Sequence, residues 1–194
     1  MLFKKNIKIP VEVSARHCHL AKQDLEKLFG QGAELKKINQ LSQPSEFACE
    51  QTLDIQFGSK KIERVRVVGP VREKSQVEIS ATDAVGSGVN PPVKLSGDLQ
   101  GSAPIVLIGP AGKVELNKGL IIAKRHLHCR ADEAKKNGLK NGQLVSVEIQ
   151  GERAITFHNV EVRVKDDYKL CLHLDTDEGN AAGINKIGEG FVIK

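Results

Sequence analysis

The sequence predicts a mainly β fold built from two copies of one small barrel-like unit. Three observations lead to this prediction: many short strand-like segments, only two helix-like segments, and an internal repeat around a histidine motif. Short strands separated by turn residues are typical of β-barrels and sandwiches, whereas a doubly wound parallel sheet needs many more helices.

Residue periodicity predicts the individual elements. Residues 7–13 alternate between apolar and other side chains, which is the period of two of a strand. Further short apolar segments, mostly bounded by Gly, Pro, Asn or Asp, predict strands at residues 52–57, 62–68, 76–80, 105–108, 119–123, 144–149, 160–164 and 170–174. Helices are predicted only at residues 21–29 and 131–137, the second ending at Gly138.

Composition and charge exclude several classes of protein. Of the 194 residues, 40% are hydrophobic, which is too many for a disordered chain, and the net charge of +5 favours anionic partners. The absence of Trp, with a single Tyr, leaves few aromatic rings on which nucleic-acid bases could stack. No apolar run approaches the roughly 20 residues of a membrane span. We therefore expect neither a nucleic acid nor a membrane as a partner.

The first residues lack the apolar core of a signal peptide, so we expect a cytoplasmic protein. Four cysteines occur without Cys-x-x-Cys spacing, and in a chain of this kind they are expected to be reduced thiols: Cys18, Cys49, Cys129 and Cys171.

The internal repeat is the most informative feature. Arg-His-Cys-His at residues 16–19 matches Arg-His-Leu-His at residues 125–128, and each motif precedes a short helix and a glycine. Downstream of each copy, a Val-rich strand precedes another strand and an acidic turn. When these last strands are aligned with Val77 matched to Leu172, Glu78 is at the position equivalent to His173.

The repeat predicts two metal sites. His-x-His on an extended segment puts both imidazoles on one face, where they can hold one ion. With the aligned third donor, the predicted ligands are His17, His19 and Glu78 for one ion, and His126, His128 and His173 for the other. Three protein donors with an open position are typical of catalytic zinc, so two Zn²⁺ per chain are expected. Alternatively, these histidines cap loop entries and bond backbone groups.

Other polar residues near the motifs have simpler interpretations. Cys18 and Cys129 are expected to be core thiols rather than ligands, and His158 a surface residue. Asp177 and Glu178 form an acidic turn that either bonds imidazole N–H groups or is solvated, and both interpretations stay open.

With these residues in view, the sequence resembles the PduL-type phosphotransacylases, or phosphate propanoyltransferases. The matching stretches cover nearly the whole chain in order: residues 14–20, 69–80, 91–102, 122–128 and 173–182. The resemblance implies two small antiparallel β-barrels with short capping helices, the first strand being exchanged into the second barrel and the active site lying between them. The implied domains are residues 16–123, and residues 1–15 with 124–194.

The resemblance also implies a reaction and roles for residues. Short-chain acyl-CoA, propanoyl or acetyl, and phosphate would be converted reversibly to acyl phosphate and CoA. Because this reaction requires no nucleophilic serine or cysteine, we expect direct attack of zinc-bound phosphate on the thioester. The zinc held by His17, His19 and Glu78 would lie nearer the CoA sulfur, and the other nearer phosphate. Arg72 would bind phosphate as the catalytic residue, and Ser96 would line the same pocket. Acylation of Cys129 is the alternative route.

Several alternatives and departures accompany the resemblance. A di-zinc hydrolase and a non-catalytic, zinc-stabilised binding module are the other functions considered, and a homo-oligomer is left open. Ala15 stands where the family commonly has Asn, and Cys18 replaces a usual Val. The predicted first strand starts so early that no extension for encapsulation in a microcompartment is expected, which favours a free cytosolic enzyme.

Overall fold

The computed structural model describes residues 7–193, in which strands predominate. The strands are β1 Ile7–Val13, β2 His17–His19, β3 Lys37–Gln40, β4 Phe47–Phe57, β5 Lys60–Gly69, β6 Gln76–Ile79, β7 Val93–Lys94, β8 Ala103–Ile108, β9 Lys113–Ala123, β10 His126–Cys129, β11 Leu144–Ile149, β12 Ile155–Val164, β13 Cys171–Leu174 and β14 Ile187–Ile193. The helices are α1 Lys22–Phe29, α2 Ala81–Ala84, α3 Ala131–Asn137 and α4 Thr176–Ala181. None of these helices combines the length and the apolar composition that crossing a membrane requires.

The chain divides into two compact units, each with its own hydrophobic core. The first unit is Ala15–Lys124, and the second joins the segment that ends at Ser14 to the segment that begins at Arg125. Residues 1–6 and 194, which the sequence assigns to the second barrel, lie outside the described residues.

In the first unit, six strands pair in a closed ring, β4-β5-β2-β6-β9-β8, and β8 returns to β4. β3 extends the sheet beside β4, and β7 pairs with β9. Alternate residues of these strands fill the interior, including Cys18, Leu53, Val67, Val77 and Leu107. The ring buries an apolar core, so the polar neighbours of these residues lie on its outer face.

The second unit is a closed six-stranded barrel in the order β1-β13-β10-β12-β11-β14, which packs around a separate apolar cluster. β1 completes this barrel by pairing with β13 and β14, so the predicted exchange of the first strand is confirmed. The exchange is reciprocal. β1 precedes the first histidine motif but pairs in the second unit, whereas β9 precedes the second motif but pairs with β6 and β8 in the first unit.

The mainly β class with two barrels is confirmed, and the strand directions add a detail. Four pairings in each six-stranded ring are antiparallel, and two are parallel. The parallel pairs are β2 with β5 and β6 with β9 in the first unit, and β10 with β12 and β13 with β1 in the second. Within each ring, the His-x-His strand and the exchanged strand therefore each have one parallel neighbour.

The expectation of only two helices is corrected by two further short ones. The predicted helices correspond to α1 and α3, and Gly138, with φ of 60°, ends α3 in the left-handed region that glycine adopts easily. α2 and α4 follow β6 and β13, and each begins with a capping box. Ser80 and Asp83 form one, Asp175 and Glu178 the other, and these reciprocal bonds stabilise helices too short to show helical periodicity.

Candidate metal centres

The strand register repeats between the two units as the sequence alignment predicts. Across the antiparallel pair β2 and β6, His17 faces Glu78; across β10 and β13, His126 faces His173. Cys18 with Val77, and Leu127 with Leu172, occupy the next positions and lie in the cores. Side-chain alternation therefore directs the imidazoles of each motif to the outer face of its barrel.

The first cluster consists of His17, His19 and Glu78, whose donor atoms all lie within 4.8 Å of one another. The Nε2 atoms of His17 and His19 are each 3.8 Å from Oε1 of Glu78. The Nδ1 atoms face backbone carbonyls, at 2.9 Å from Ala15 and 3.0 Å from Val68. Backbone bonds of this kind fix the ring and its tautomer, so that Nε2 is left for an ion.

Electrostatics determine the protonation states of Glu78 and His19 in the first cluster. Burial raises the pKa of Glu78, but the neighbouring His17 and His19 outweigh it and bring the pKa to about 2. Burial, reinforced by the charge of His17, lowers the pKa of His19 well below its ordinary value. At neutral pH Glu78 is therefore ionised and His19 is neutral, which are the protonation states of metal ligands.

The second cluster consists of His126, His128 and His173. Their ring centroids are 4.5 Å apart for His126 and His128, 5.2 Å for His126 and His173, and 4.9 Å for His128 and His173. Tyr168 stacks on the His128 ring, with 3.9 Å between the centroids. Three imidazoles are thus gathered on one face, and two of them, His126 and His128, are buried.

His128 provides the clearest sign that a ligand belongs in the second cluster. Both of its ring nitrogens are buried and lack a hydrogen-bond partner among the described residues. Burial, reinforced by His126 and His173, lowers the pKa of His128, so the ring is neutral. A buried imidazole with no partner costs free energy, and a bound metal ion would remove that cost.

Two residues that sequence reasoning did not place in a site lie beside the second cluster. Glu12, Cys171 and His173 form a group with donor atoms within 4.8 Å of one another. Oε2 of Glu12 is 4.0 Å from Nδ1 of His173. From the sequence, strand alternation predicts only that Glu12 is on the polar face of β1. It does not predict that Glu12 lies next to His173, because β1 and β13 are far apart in the chain.

An arginine next to each His-x-His motif forms a repeated ion pair. Arg16 bonds Asp83, with both Nε–carboxylate distances 3.1 Å, and Arg125 bonds Glu178. Both carboxylates belong to the capping boxes of α2 and α4. Glu178, for which the sequence left an imidazole partner open, thus accepts from Arg125, and each pair ties the start of a motif to the helix after the third donor.

Arg72 and Ser96 lie next to the first cluster. Arg72 Nη1 donates to Ser96 Oγ at 2.8 Å, and Arg72 Nη2 donates to Glu46 Oε1 at 2.9 Å. Gln76 Nε2 bonds Ser96 Oγ at 3.1 Å and Glu78 Oε1 at 2.6 Å. These bonds connect Arg72 to the first cluster through neutral side chains. The roles of Gln76 and Glu46 had no signal in the sequence.

The cysteines are free thiols and are buried. Cys18 and Cys129 lie in the hydrophobic cores, as expected of core thiols, and burial raises the pKa of Cys129 to about 11. His158 is exposed, as expected of a surface residue, and its Nδ1 is 2.8 Å from Ser146 Oγ.

Comparison with known proteins identifies the family. The sequence pattern of the phosphate propanoyltransferases matches residues 10–185. A phosphate propanoyltransferase of Thermotoga maritima is 48% identical over 185 residues, covering 95% of this chain and 88% of that protein. Those of Lachnoclostridium phytofermentans and Clostridioides difficile are 48% identical over 183 residues and 42% over 191, covering 93% and 98% of this chain and 85% and 91% of those proteins. Because these matches span nearly the whole chain and include both histidine motifs, this chain belongs to the phosphate propanoyltransferase family.

Proposed function

We propose that this protein transfers a short-chain acyl group, propanoyl or acetyl, reversibly between CoA and inorganic phosphate. The observation that carries the proposal is the pair of repeat-related donor clusters in a member of this family. In one direction a phosphate oxygen attacks the thioester carbonyl, the C–S bond breaks, and CoA leaves as a thiolate. In the other direction, the CoA thiolate attacks the acyl phosphate and releases phosphate.

Each cluster would hold one zinc ion. The fit rests on the Nε2 atoms of His17 and His19, which face Glu78, and on the unpartnered ring nitrogens of His128. Nitrogen and oxygen donors of this kind are those that zinc accepts. Bound zinc would supply Lewis-acid stabilisation of negative charge on the phosphate, the carbonyl oxygen or the sulfur. By the family resemblance, the first cluster would serve the sulfur and the second the phosphate.

Arg72 would bind the phosphate. A guanidinium presents a planar fork of N–H donors that matches phosphate oxygens, and each terminal nitrogen of Arg72 has a second N–H besides the one given to Ser96 or Glu46. Ser96 holds this fork from one side and Glu46 from the other. A fork oriented before phosphate arrives reduces the entropy lost on binding and holds the attacking oxygen close to the carbonyl.

Direct transfer predicts that Cys129→Ala retains near-normal turnover. A nucleophilic cysteine needs a lowered pKa, but burial raises that of Cys129 to about 11, and its side chain lies in the apolar core. Initial rates of acyl phosphate formation check this, with Cys49→Ala, another buried thiol, as the matched control for loss of packing. A large loss of kcat in Cys129→Ala alone, at unchanged melting temperature, would support the acyl-enzyme route.

The central experiment measures thiol release from propanoyl-CoA and acetyl-CoA, with and without phosphate, on protein of known metal content. We expect thiol release to require phosphate and to match the acyl phosphate formed. Release without phosphate, giving free carboxylate, would identify the hydrolase alternative. No turnover by protein that holds two zinc ions would contradict the transferase.

Metal removal separates a catalytic centre from the zinc-stabilised binding module. Each unit has its own apolar core, so we expect chelation to abolish activity while the β-sheet signal in circular dichroism persists. Unfolding of the chain on chelation would favour the binding module instead.

A further inference from the structure

Glu12 lies beside the second cluster, on the strand exchanged from the start of the described chain. β1 pairs in parallel with β13, and Glu12 is the register partner of His173. The neighbouring residues Val11 and Val13 pack in or against the core, so Glu12 lies on the same outer face as the imidazoles. Its Oε2 is 4.0 Å from Nδ1 of His173, which is too long for a hydrogen bond but close enough for strong electrostatic interaction.

The equivalent position in the first unit holds an apolar residue. There β9 pairs in parallel with β6, and the register partner of Glu78 is Ile121. Each unit therefore places one carboxylate in this pair of neighbouring positions, but on opposite strands. In the first cluster the carboxylate is the third donor itself; in the second it is Glu12, the neighbour of the third donor His173.

This difference in placement gives each of the two centres one nearby negative charge. Two imidazoles and the Glu78 carboxylate cancel one of the two positive charges of a divalent ion, whereas three neutral imidazoles cancel none. The Glu12 carboxylate restores the missing negative charge next to the second cluster. In a largely buried site, positive charge without a counter-charge is costly, so this difference affects how tightly an ion is held.

We propose that Glu12 is a positioning residue of the second cluster: it faces Nδ1 of His173, leaves Nε2 for the metal ion, and supplies the negative charge that Glu78 supplies in the first. His17 and His19 follow the same pattern, with Nδ1 facing backbone carbonyls. A carboxylate beside a ligating imidazole orients the ring and increases its basicity. The inference rests on the metal centres of the proposed function.

The test measures the metal affinity of the second cluster alone. The full-length chain carries His19→Ala to remove the first site, and the remaining ion is titrated against a chelator, first as zinc and then as cobalt. We expect Glu12→Gln, which keeps the shape and removes the charge, to weaken affinity by about 10- to 100-fold and to change the visible cobalt spectrum. Glu12→Ile, which copies the first unit, is expected to weaken affinity at least as much, and Glu12→Asp to restore part of it.

Two variants serve as controls. Glu189 lies on the other neighbour of β1, where it forms an exposed ion pair with Lys8 at 2.8 Å, so Glu189→Gln is expected to leave metal affinity unchanged. Cys171 belongs to the same donor group as Glu12, and Cys171→Ala is also expected to leave affinity unchanged. Circular dichroism of each metal-free variant checks that the barrels are intact.

The outcomes separate this inference from the function. Unchanged affinity and an unchanged cobalt spectrum in Glu12→Gln would overturn the role of Glu12 and leave the two zinc centres standing. An equal loss of affinity in Cys171→Ala would mean that Glu12 and Cys171 ligate directly, which also overturns the positioning role. A wild-type chain that binds no stoichiometric metal would overturn the centres themselves.

Discussion

His128→Leu is expected to lose one of the two metal ions and, at the same time, to stabilise the metal-free protein. Both ring nitrogens of His128 are buried without a partner among the described residues, and such a group costs about 1–3 kcal/mol. Leucine fills a similar volume without this cost. We therefore expect the free energy of unfolding of the metal-free protein to rise by about 1–3 kcal/mol. Loss of the ion is expected to reduce kcat by roughly 1,000-fold.

Metal analysis, denaturation of the chelated proteins and steady-state rates check the three parts of this prediction. His158→Leu is the matched control, because His158 is an exposed histidine of the same unit that contacts Ser146. It is expected to keep both ions and full activity. A His128→Leu protein that retains two ions, or whose metal-free form is less stable than wild type, would contradict the assignment of His128 as a ligand.

Arg72→Ala is expected to lower kcat/KM for phosphate by roughly 100-fold, because it removes charge-assisted hydrogen bonds to the phosphate oxygens. KM for the acyl-CoA substrate is expected to change little. Arg72→Lys is expected to recover only part of the loss, since a lysine ammonium keeps the charge but not the planar fork. Initial rates at varied phosphate, and separately at varied propanoyl-CoA, measure both effects.

Arg130→Ala provides the comparison for Arg72→Ala. Arg130 is an exposed arginine whose Nε bonds a single carboxylate, that of Asp132, at 2.6 Å. Its removal is expected to leave both kinetic constants unchanged. Equal loss in phosphate and acyl-CoA kinetics for Arg72→Ala would indicate a structural role, and unchanged kinetics would remove Arg72 from the site.

The grouping of donors could be predicted because strand geometry is simple. Alternation with period two puts His17 and His19 on one face, and the same rule applies to His126 and His128. Aligning the last strands of the two repeats identified Glu78 and His173 as equivalent third donors. In the structure, antiparallel pairing places each of them across from the first histidine of its motif. The structure brings these side chains together; whether they bind metal stays a prediction.

Elements with weak local signals could not be predicted as easily. β3 is exposed along its whole length, and β14 contains Gly188 and Gly190, so neither shows the usual alternation of a half-buried strand. α2 and α4 are too short for helical periodicity, although their capping boxes were readable at Ser80–Asp83 and Asp175–Glu178.

Glu12 and Glu46 could not be assigned to the site from strand periodicity, for a different reason. Their neighbours His173 and Arg72 are brought to them by pairing between distant segments, and each glutamate alone is typical of a solvated surface residue. Comparison of the two repeats does single out Glu12, because it stands four residues before Arg16, where Ile121 stands before Arg125. The proposed role of Glu12 beside the second cluster would account for a carboxylate in one copy and an isoleucine in the other.

The exchange of β1 also has a consequence during synthesis of the chain. β1 leaves the ribosome before every other described strand, yet its partners β13 and β14 are the last two of the described strands to be made. The six strands that close the first ring lie within Ala15–Lys124, so all of them are made before β13 and β14. Ile9 and Val11 of β1, which are buried in the folded second unit, lack these packing partners until then. β1 therefore has no native strand partner until β13 and β14 have been made, and unpaired apolar strands are prone to aggregation.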